Sequence, residues 1–126
     1  MAQQRTLLLV DDDDVFREAT AATLRAAGYA VIVAPDYRDA LMSLESSATV
    51  DLMITDVTMP NRVNGFALAR MASLRRPGLK LVYISGFDVP TAEALGPVLR
   101  KPVADELLLV TVAEALASND PGDKAA

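Results

Sequence analysis

Short apolar runs recur along the chain, separated by longer stretches in which apolar residues return every three or four positions. This alternation marks a parallel sheet whose strands are joined by crossover helices. The pattern predicts strands over residues 6–10, 30–33, 51–55, 80–84 and 97–100. Three of them contain the runs LLLV, LMIT and LVYI, almost continuously apolar, as central strands covered on both faces require. Helices are predicted over residues 14–27, 37–46, 65–75 and 104–117. Val15, Ala19, Ala22 and Ala26 share one helical face in the first, and Gly28 stops it. Asp36 and Asn64 are N-caps for the second and third, and Phe66, Leu68, Met71 and Leu74 are core candidates in the third. Only residues 89–95 are left for a helix between the fourth and fifth strands, so that helix must be very short. Residues 1–117 form one expected domain; 118–126, SNDPGDKAA, lack apolar periodicity and are expected to be disordered.

Five strands alternating with helices predict an α/β, flavodoxin-like (βα)5 fold, a doubly wound parallel sheet of strand order 2-1-3-4-5. In such sheets ligands bind beyond the carboxyl ends of the strands, near the switch in strand order. Asp11 and Asp12 follow the first strand, Asp56 the third, Ser85 the fourth and Lys101 the fifth. The topology therefore brings all five to one edge.

Composition narrows the chemistry. At 126 residues and 52% hydrophobic, the chain supports one domain with a proper core. It contains neither cysteine nor histidine, which removes disulfides, thiolate and imidazole metal ligands and Ser-His triads. Any metal must sit on oxygen. Seventeen acidic against twelve basic residues give a net charge of −5, which disfavours nucleic acid and anionic membranes as partners. The LLLV run is ended by Asp11, too early for a signal peptide or a spanning helix, and a cytoplasmic location is expected.

Three carboxylates in one cleft need compensation, because two unit charges about 4 Å apart repel by roughly 4 kcal/mol at an effective dielectric near 20. Lys101 is one source of positive charge, and Mg²⁺, which takes carboxylates, waters and phosphate oxygens, is a second. A carboxylate so placed is also a candidate nucleophile for aspartyl-phosphate formation. Asp56 stands alone at a central strand while Asp11 and Asp12 are paired, so Asp56 is the expected nucleophile. Asp13 and Asp14 are expected only to cap the first helix and face its dipole.

The segments LLLVDDDDVFRE, LMITDVTMP with the following Gly65, LVYISGF and LRKPV together resemble the motif set of bacterial response-regulator receiver domains. The resemblance spans residues 6 to about 116. It implies that Asp11 and Asp12 are the acidic Mg²⁺ pair, Asp56 the phosphoacceptor, Ser85 the switch hydroxyl and Lys101 the phosphate-binding lysine. Thr58 would give its backbone carbonyl to the metal. It further implies a cis Lys101-Pro102 peptide, and a switch in which phosphate on Asp56 draws the Ser85 hydroxyl inward. The phosphodonor would be a histidine kinase or histidine phosphotransfer protein, and the signal would pass to a downstream protein by contact or end in a phosphate sink. Such a domain is a phosphoacceptor rather than a conventional enzyme, while promoting its own phosphorylation and dephosphorylation.

Three departures stand out. Gly65 lies one residue further from Asp56 than the commonest family spacing. Ser85 and Lys101 are closer than usual, so the helix between them must be cut down or lost, and Val98 occupies the output position where the family usually has Tyr or Phe. Phe87, two residues after Ser85, either covers local apolar surface or shields an acyl phosphate. Three rival readings are the receiver of a hybrid histidine kinase, a nucleotide or flavin binder on the same fold, and a receiver-like scaffold that never takes phosphate, which would normally lack one of the five key residues. Against the second, the first strand is followed by DDDD and not by a glycine-rich phosphate loop.

Overall fold

The computed structural model describes residues 4–58 and 64–118. In chain order the elements are β1 (Thr6–Val10), α1 (Asp14–Ala26), β2 (Ala30–Ala34), α2 (Tyr37–Glu45), β3 (Leu52–Asp56), α3 (Gly65–Arg75), β4 (Lys80–Ser85), β5 (Val98–Arg100) and α4 (Asp105–Ala117). All the strands are parallel, in the order β2-β1-β3-β4-β5. This is the predicted flavodoxin-like sheet.

Strand side chains alternate between two cores. Leu8, Val10, Met53, Leu81 and Tyr83 face one core, together with Ala40 and Leu44 of α2 and Leu68, Ala69 and Ala72 of α3. Leu7, Leu9, Leu52, Ile54, Val82 and Ile84 face the other, which Ala21 and Leu24 of α1 and Leu108 and Val112 of α4 complete. Continuous apolarity in β1, β3 and β4 follows from this double coverage.

Helix ends follow local chemistry. Asp13, Asp36 and Asn64 cap α1, α2 and α3 by accepting from the N–H groups of Phe16, Asp39 and Ala67. Gly28, at φ +103°, occupies the left-handed region after α1. Arg76, just beyond α3, donates to the carbonyls of Leu44, Ser46 and Ala48 and so ties down the end of α2. Ser118 ends α4 and accepts a bond from Lys80 Nζ on its carbonyl. The remainder of the expected disordered tail lies outside the described residues.

Several expectations are corrected. The buried stripe of α1 is Thr20, Ala21 and Leu24, with Phe16 half-buried, while Val15 is 82% exposed. Both stripes have helical period, but the one carrying Phe16 and Leu24 buries more apolar surface than one valine and three alanines. Leu74 is likewise exposed, because it lies about half a turn from Ala72 on α3. Asp56 and Ser85 are the last paired residues of β3 and β4, opposite Ile84 and Arg100, and not the first residues beyond them.

The expected short helix between β4 and β5 is absent: the segment holds one turn, closed by Ala94 N–H on the Thr91 carbonyl at 3.0 Å. So short a stretch, carrying Pro90, cannot sustain a helix. Specific contacts fasten it instead. Leu95 N–H donates to the Tyr83 hydroxyl at 3.1 Å, and Glu93 pairs with Arg70 of α3 at 2.6 Å. Asp88 pairs with Arg100. Gly96 lies so close to β4 that a Cβ there would sit 1.8 Å from the Leu81 carbonyl oxygen. Between this segment and α3 lies a cleft of about 450 Å³ whose walls include Phe66, Val89 and Pro90.

Candidate functional site

Strands β1 and β3 are neighbours in register, Val10 opposite Thr55, so the residues that follow, Asp11 just beyond β1 and Asp56 at the end of β3, stand at the same level. Asp11 and Asp56 therefore meet, and Asp12 joins them from the rim. Carboxylate oxygens of the three lie within 4.8 Å of one another. Asp11 is 1% and Asp56 7% exposed, whereas Asp12 is open to solvent.

The two buried carboxylates are held in the same way. Oδ1 of Asp11 accepts from the Asp13 N–H at 2.9 Å, and Oδ1 of Asp56 accepts from the Thr58 N–H at 3.1 Å. Each Oδ2 lies 3.2 Å from the Lys101 ammonium. Lys101 is delivered by β5: its N–H donates to the Ser85 carbonyl at 2.8 Å, and the Lys101-Pro102 peptide is cis, as the sequence resemblance implied.

Three carboxylates against one ammonium leave two net negative charges in the cleft when all are ionised. Burial pushes the Asp11 pKa above the ordinary carboxylate value, and neighbouring Asp56 adds to this; the Asp13 N–H and Lys101 pull the other way without cancelling it. Burial acts to lower the Lys101 pKa, but Asp11 and Asp56 outweigh it, and the net shift is upward. Lys101 is therefore an ammonium at neutral pH. An oxygen-only donor set with uncompensated charge, partly open to water, suits a hard divalent cation.

Ser85 is fully buried, and both functions of its hydroxyl are engaged: Oγ donates to the Phe87 carbonyl at 2.5 Å and accepts from the Phe87 N–H at 3.2 Å. Val98 pairs with Tyr83 across β4 and β5 and packs on the core. Gly65 sits against the backbone of Asp56, where a Cβ would lie 2.4 Å from the Asp56 carbonyl oxygen, and its N–H donates to Val57. The longer spacing from Asp56 to Gly65 thus still returns α3 onto β3; residues 59–63 of the connection lie outside the described residues.

Two neighbours of the site were not singled out from sequence. Arg17 Nη1 donates to the Asp11 carbonyl at 2.8 Å, and the Phe16 ring centroid lies 4.2 Å from Lys101 Nζ. Their signal in sequence is only their place on the first turns of the helix that follows the acidic run.

Residues 7–113 match the response regulator receiver domain family. The chain belongs to this family. As a receiver it is a signalling phosphoacceptor domain of two-component systems, whose members generally carry Mg²⁺ in an acidic pocket. It is 34% identical over 93 residues to the response regulator receiver protein CpdR of Brucella abortus, covering 74% of this chain and 73% of that protein. To the sensor kinase CckA of the same organism it is 32% identical over 123 residues, covering 91% of this chain and 13% of the kinase. The CheY-like receiver domain protein from Methanospirillum hungatei superposes with a TM-score of 0.84 at 27% identity, covering 90% of this chain and 94% of that one. The receiver spans at most 31% of the length of the sensor kinase and two other relatives it matches. Among the described residues no helix is long and apolar enough to cross a membrane.

The raised pKa of Asp11 sets a sign for stability. A folded-state pKa above the unfolded value favours folding at low pH, and that contribution is lost as pH rises through the folded value. At neutral pH, without metal, the Asp11 charge is therefore a cost. Asp11→Asn keeps the Asp13 contact geometry and is expected to raise Tm in metal-free buffer at pH 7 by about 4 °C, the shift that about 1 kcal/mol produces in a domain near this size. The gain should vanish below the ordinary carboxylate range, and stabilisation by Mg²⁺ should shrink. Melting curves over pH, with and without Mg²⁺, check this.

Proposed function

We propose that Asp56 is the phosphoacceptor of this receiver, with Asp11, Asp12 and Asp56 as its metal carboxylates and Ser85 and Lys101 as the groups that receive the phosphoryl oxygens. The observation that carries this reading is the position of Asp56. It ends the central strand β3, between the β1 side, which supplies Asp11 and Asp12, and the β4–β5 side, which supplies Ser85 and Lys101. Its Oδ1 is held by a backbone N–H and its Oδ2 by an ammonium. Such fixed donors around a reacting carboxylate are what phosphoryl transfer draws on.

In the reaction, a carboxylate oxygen of Asp56 forms a bond to phosphorus as the bond from phosphorus to the donor nitrogen breaks. The leaving group is a histidine imidazole of a kinase or phosphotransfer protein, since this chain has no histidine. Lys101 takes over negative charge on the transferred group, and the Thr58 N–H keeps the carboxylate oriented. Asp11, Asp12, Asp56 and the Thr58 carbonyl would hold Mg²⁺, which supplies further neutralisation of the phosphoryl oxygens. Because the receiver provides these groups, it promotes both its own phosphorylation and the later hydrolysis of the acyl phosphate.

For Ser85 to serve the phosphoryl group, its hydroxyl must leave the Phe87 carbonyl, which releases the start of the helix-less segment before β5. That segment is the proposed output element, with Leu95 and Val98 repacking. At the output position, where the family usually has Tyr or Phe, Val98 offers no aromatic ring to change rotamer. A downstream protein reads the change, in a cytoplasmic setting, or the receiver serves as a phosphate sink. The match to 13% of a sensor kinase gives the hybrid-kinase receiver as a second setting for the same chemistry. Residues 1–117 are the proposed folded unit.

Intact mass after incubation with Mg²⁺ and a small acyl-phosphate donor is expected to show one phosphoryl adduct, lost in Asp56→Asn and in EDTA; an adduct forming at the same rate in either case contradicts the assignment. Hydrogen exchange is expected to rise most over residues 87–96 on phosphorylation. Ser85→Ala should suppress that rise while leaving uptake within about tenfold, the range of a single lost hydrogen-bond donor. Unchanged exchange across the segment would favour the phosphate sink.

A further inference from the structure

Three groups lie close to the partly exposed Lys101 ammonium. Asp11 Oδ2 and Asp56 Oδ2 are 3.2 Å from it. The Phe16 ring centroid is 4.2 Å from Nζ, well within the range at which an aromatic face attracts an ammonium. The ring is itself fixed, because Phe16 packs on the core formed by Leu7, Leu9 and Ile84.

These contacts differ in what can displace them. A divalent cation in the acidic cleft competes with Lys101 for Asp11 and Asp56, and a phosphoryl group on Asp56 removes the free carboxylate altogether. An aromatic face offers no oxygen to a hard cation and is unaffected by phosphorylation. Neither event supplies a competitor for this contact.

We propose that Phe16 is a positioning residue that holds the Lys101 ammonium over the acidic cleft through a cation–π contact, keeping the lysine in place when its carboxylate partners are taken by a cation or a phosphoryl group. This rests on the reading of Asp56 as phosphoacceptor and Lys101 as its phosphate-binding group. Phe16 lies in the first of the segments that carry the family resemblance, LLLVDDDDVFRE, where the resemblance assigned it no role. A purely structural Phe16 would anchor α1 to the sheet and nothing more, so any apolar side chain that packed there would serve.

The test compares Phe16→Tyr, which keeps the ring, with Phe16→Leu, which keeps apolar bulk; Phe16→Met is the second apolar variant should Phe16→Leu not fold. By NMR of the full chain, the Lys101 side-chain methylene protons are expected to be shifted upfield by the ring in the unsubstituted protein and in Phe16→Tyr. In the apolar variants they should return to ordinary lysine positions. The upfield shift should survive saturation with Mg²⁺ alone. Uptake of phosphate from a small acyl-phosphate donor is expected to fall about tenfold in the apolar variants and to stay within about twofold in Phe16→Tyr.

Lys101 methylenes at ordinary positions in the unsubstituted protein overturn the proposal. So does an unchanged rate in a folded apolar variant, or an equal loss in the tyrosine and apolar variants, which would mark packing and not the ring face as the cause. Each of these leaves the Asp56 reading standing. Uptake at the normal rate by Asp56→Asn is the separate result that overturns that reading.

Discussion

One ammonium shared by two buried carboxylates organises the carboxyl edge of this sheet. Lys101 stands 3.2 Å from both Asp11 and Asp56, an attraction of about 4 kcal/mol per pair at 4 Å and an effective dielectric near 20. Burying such charges costs a comparable amount, so the arrangement holds only because other groups share the work. Each carboxylate has a backbone N–H on its other oxygen, and the lysine has an aromatic face beside it. The adjacency of β1 and β3 brings the acids together, and β5, paired with β4, brings the lysine. Two core layers, one on each side of the sheet, keep those strands in register. The fold and the site are coupled through this edge, and the remaining negative charge is what suits it to a divalent cation.

The same edge explains why the segment between β4 and β5 matters. With no helix there, it is fastened at separate points: to Tyr83 through Leu95, to α3 through Glu93, to β5 through Asp88, and to β4 by the close approach of Gly96. Its first residues are tied to Ser85, whose hydroxyl both donates to and accepts from Phe87. A segment held by few, mostly exposed contacts opens more readily than one packed as a helix. The Ser85 hydroxyl at the end of β4 is the proposed link between cleft and surface, since serving a phosphoryl group on Asp56 would take it from the Phe87 carbonyl.

Sequence pattern carried most of this architecture because strand burial on both faces leaves an unmistakable apolar run, and because order in a parallel sheet follows from short right-handed connections. The acids, the serine and the lysine were legible from their places at strand ends. What sequence did not convey depends on rotation and on length. Alanine-rich α1 supports two apolar stripes, and the choice in favour of Phe16 and Leu24 is made by the volume they bury against the sheet. That choice also turns Phe16 toward Lys101, a contact with no spacing rule to announce it. The shortness of the segment before β5 is plain in the sequence, but its anchoring through Tyr83 and Gly96 arises from contacts between residues far apart in the chain. At Asp56 and Ser85 the strands run one residue further than the apolar pattern predicts, because polar side chains there sit within a ladder that backbone hydrogen bonds continue.

The carboxylate that the edge isolates between its acidic and its basic side, Asp56, is the proposed bearer of the phosphoryl group. Reduction of the phosphorylated receiver with borohydride converts an aspartyl phosphate to homoserine and leaves free carboxylates intact, so peptide mass spectrometry then reads the site directly. Homoserine at position 56, and at none of the positions of Asp11, Asp12 or Asp13, is the expected result. Homoserine at any of those three, or none anywhere in a protein whose intact mass shows the adduct, would contradict it.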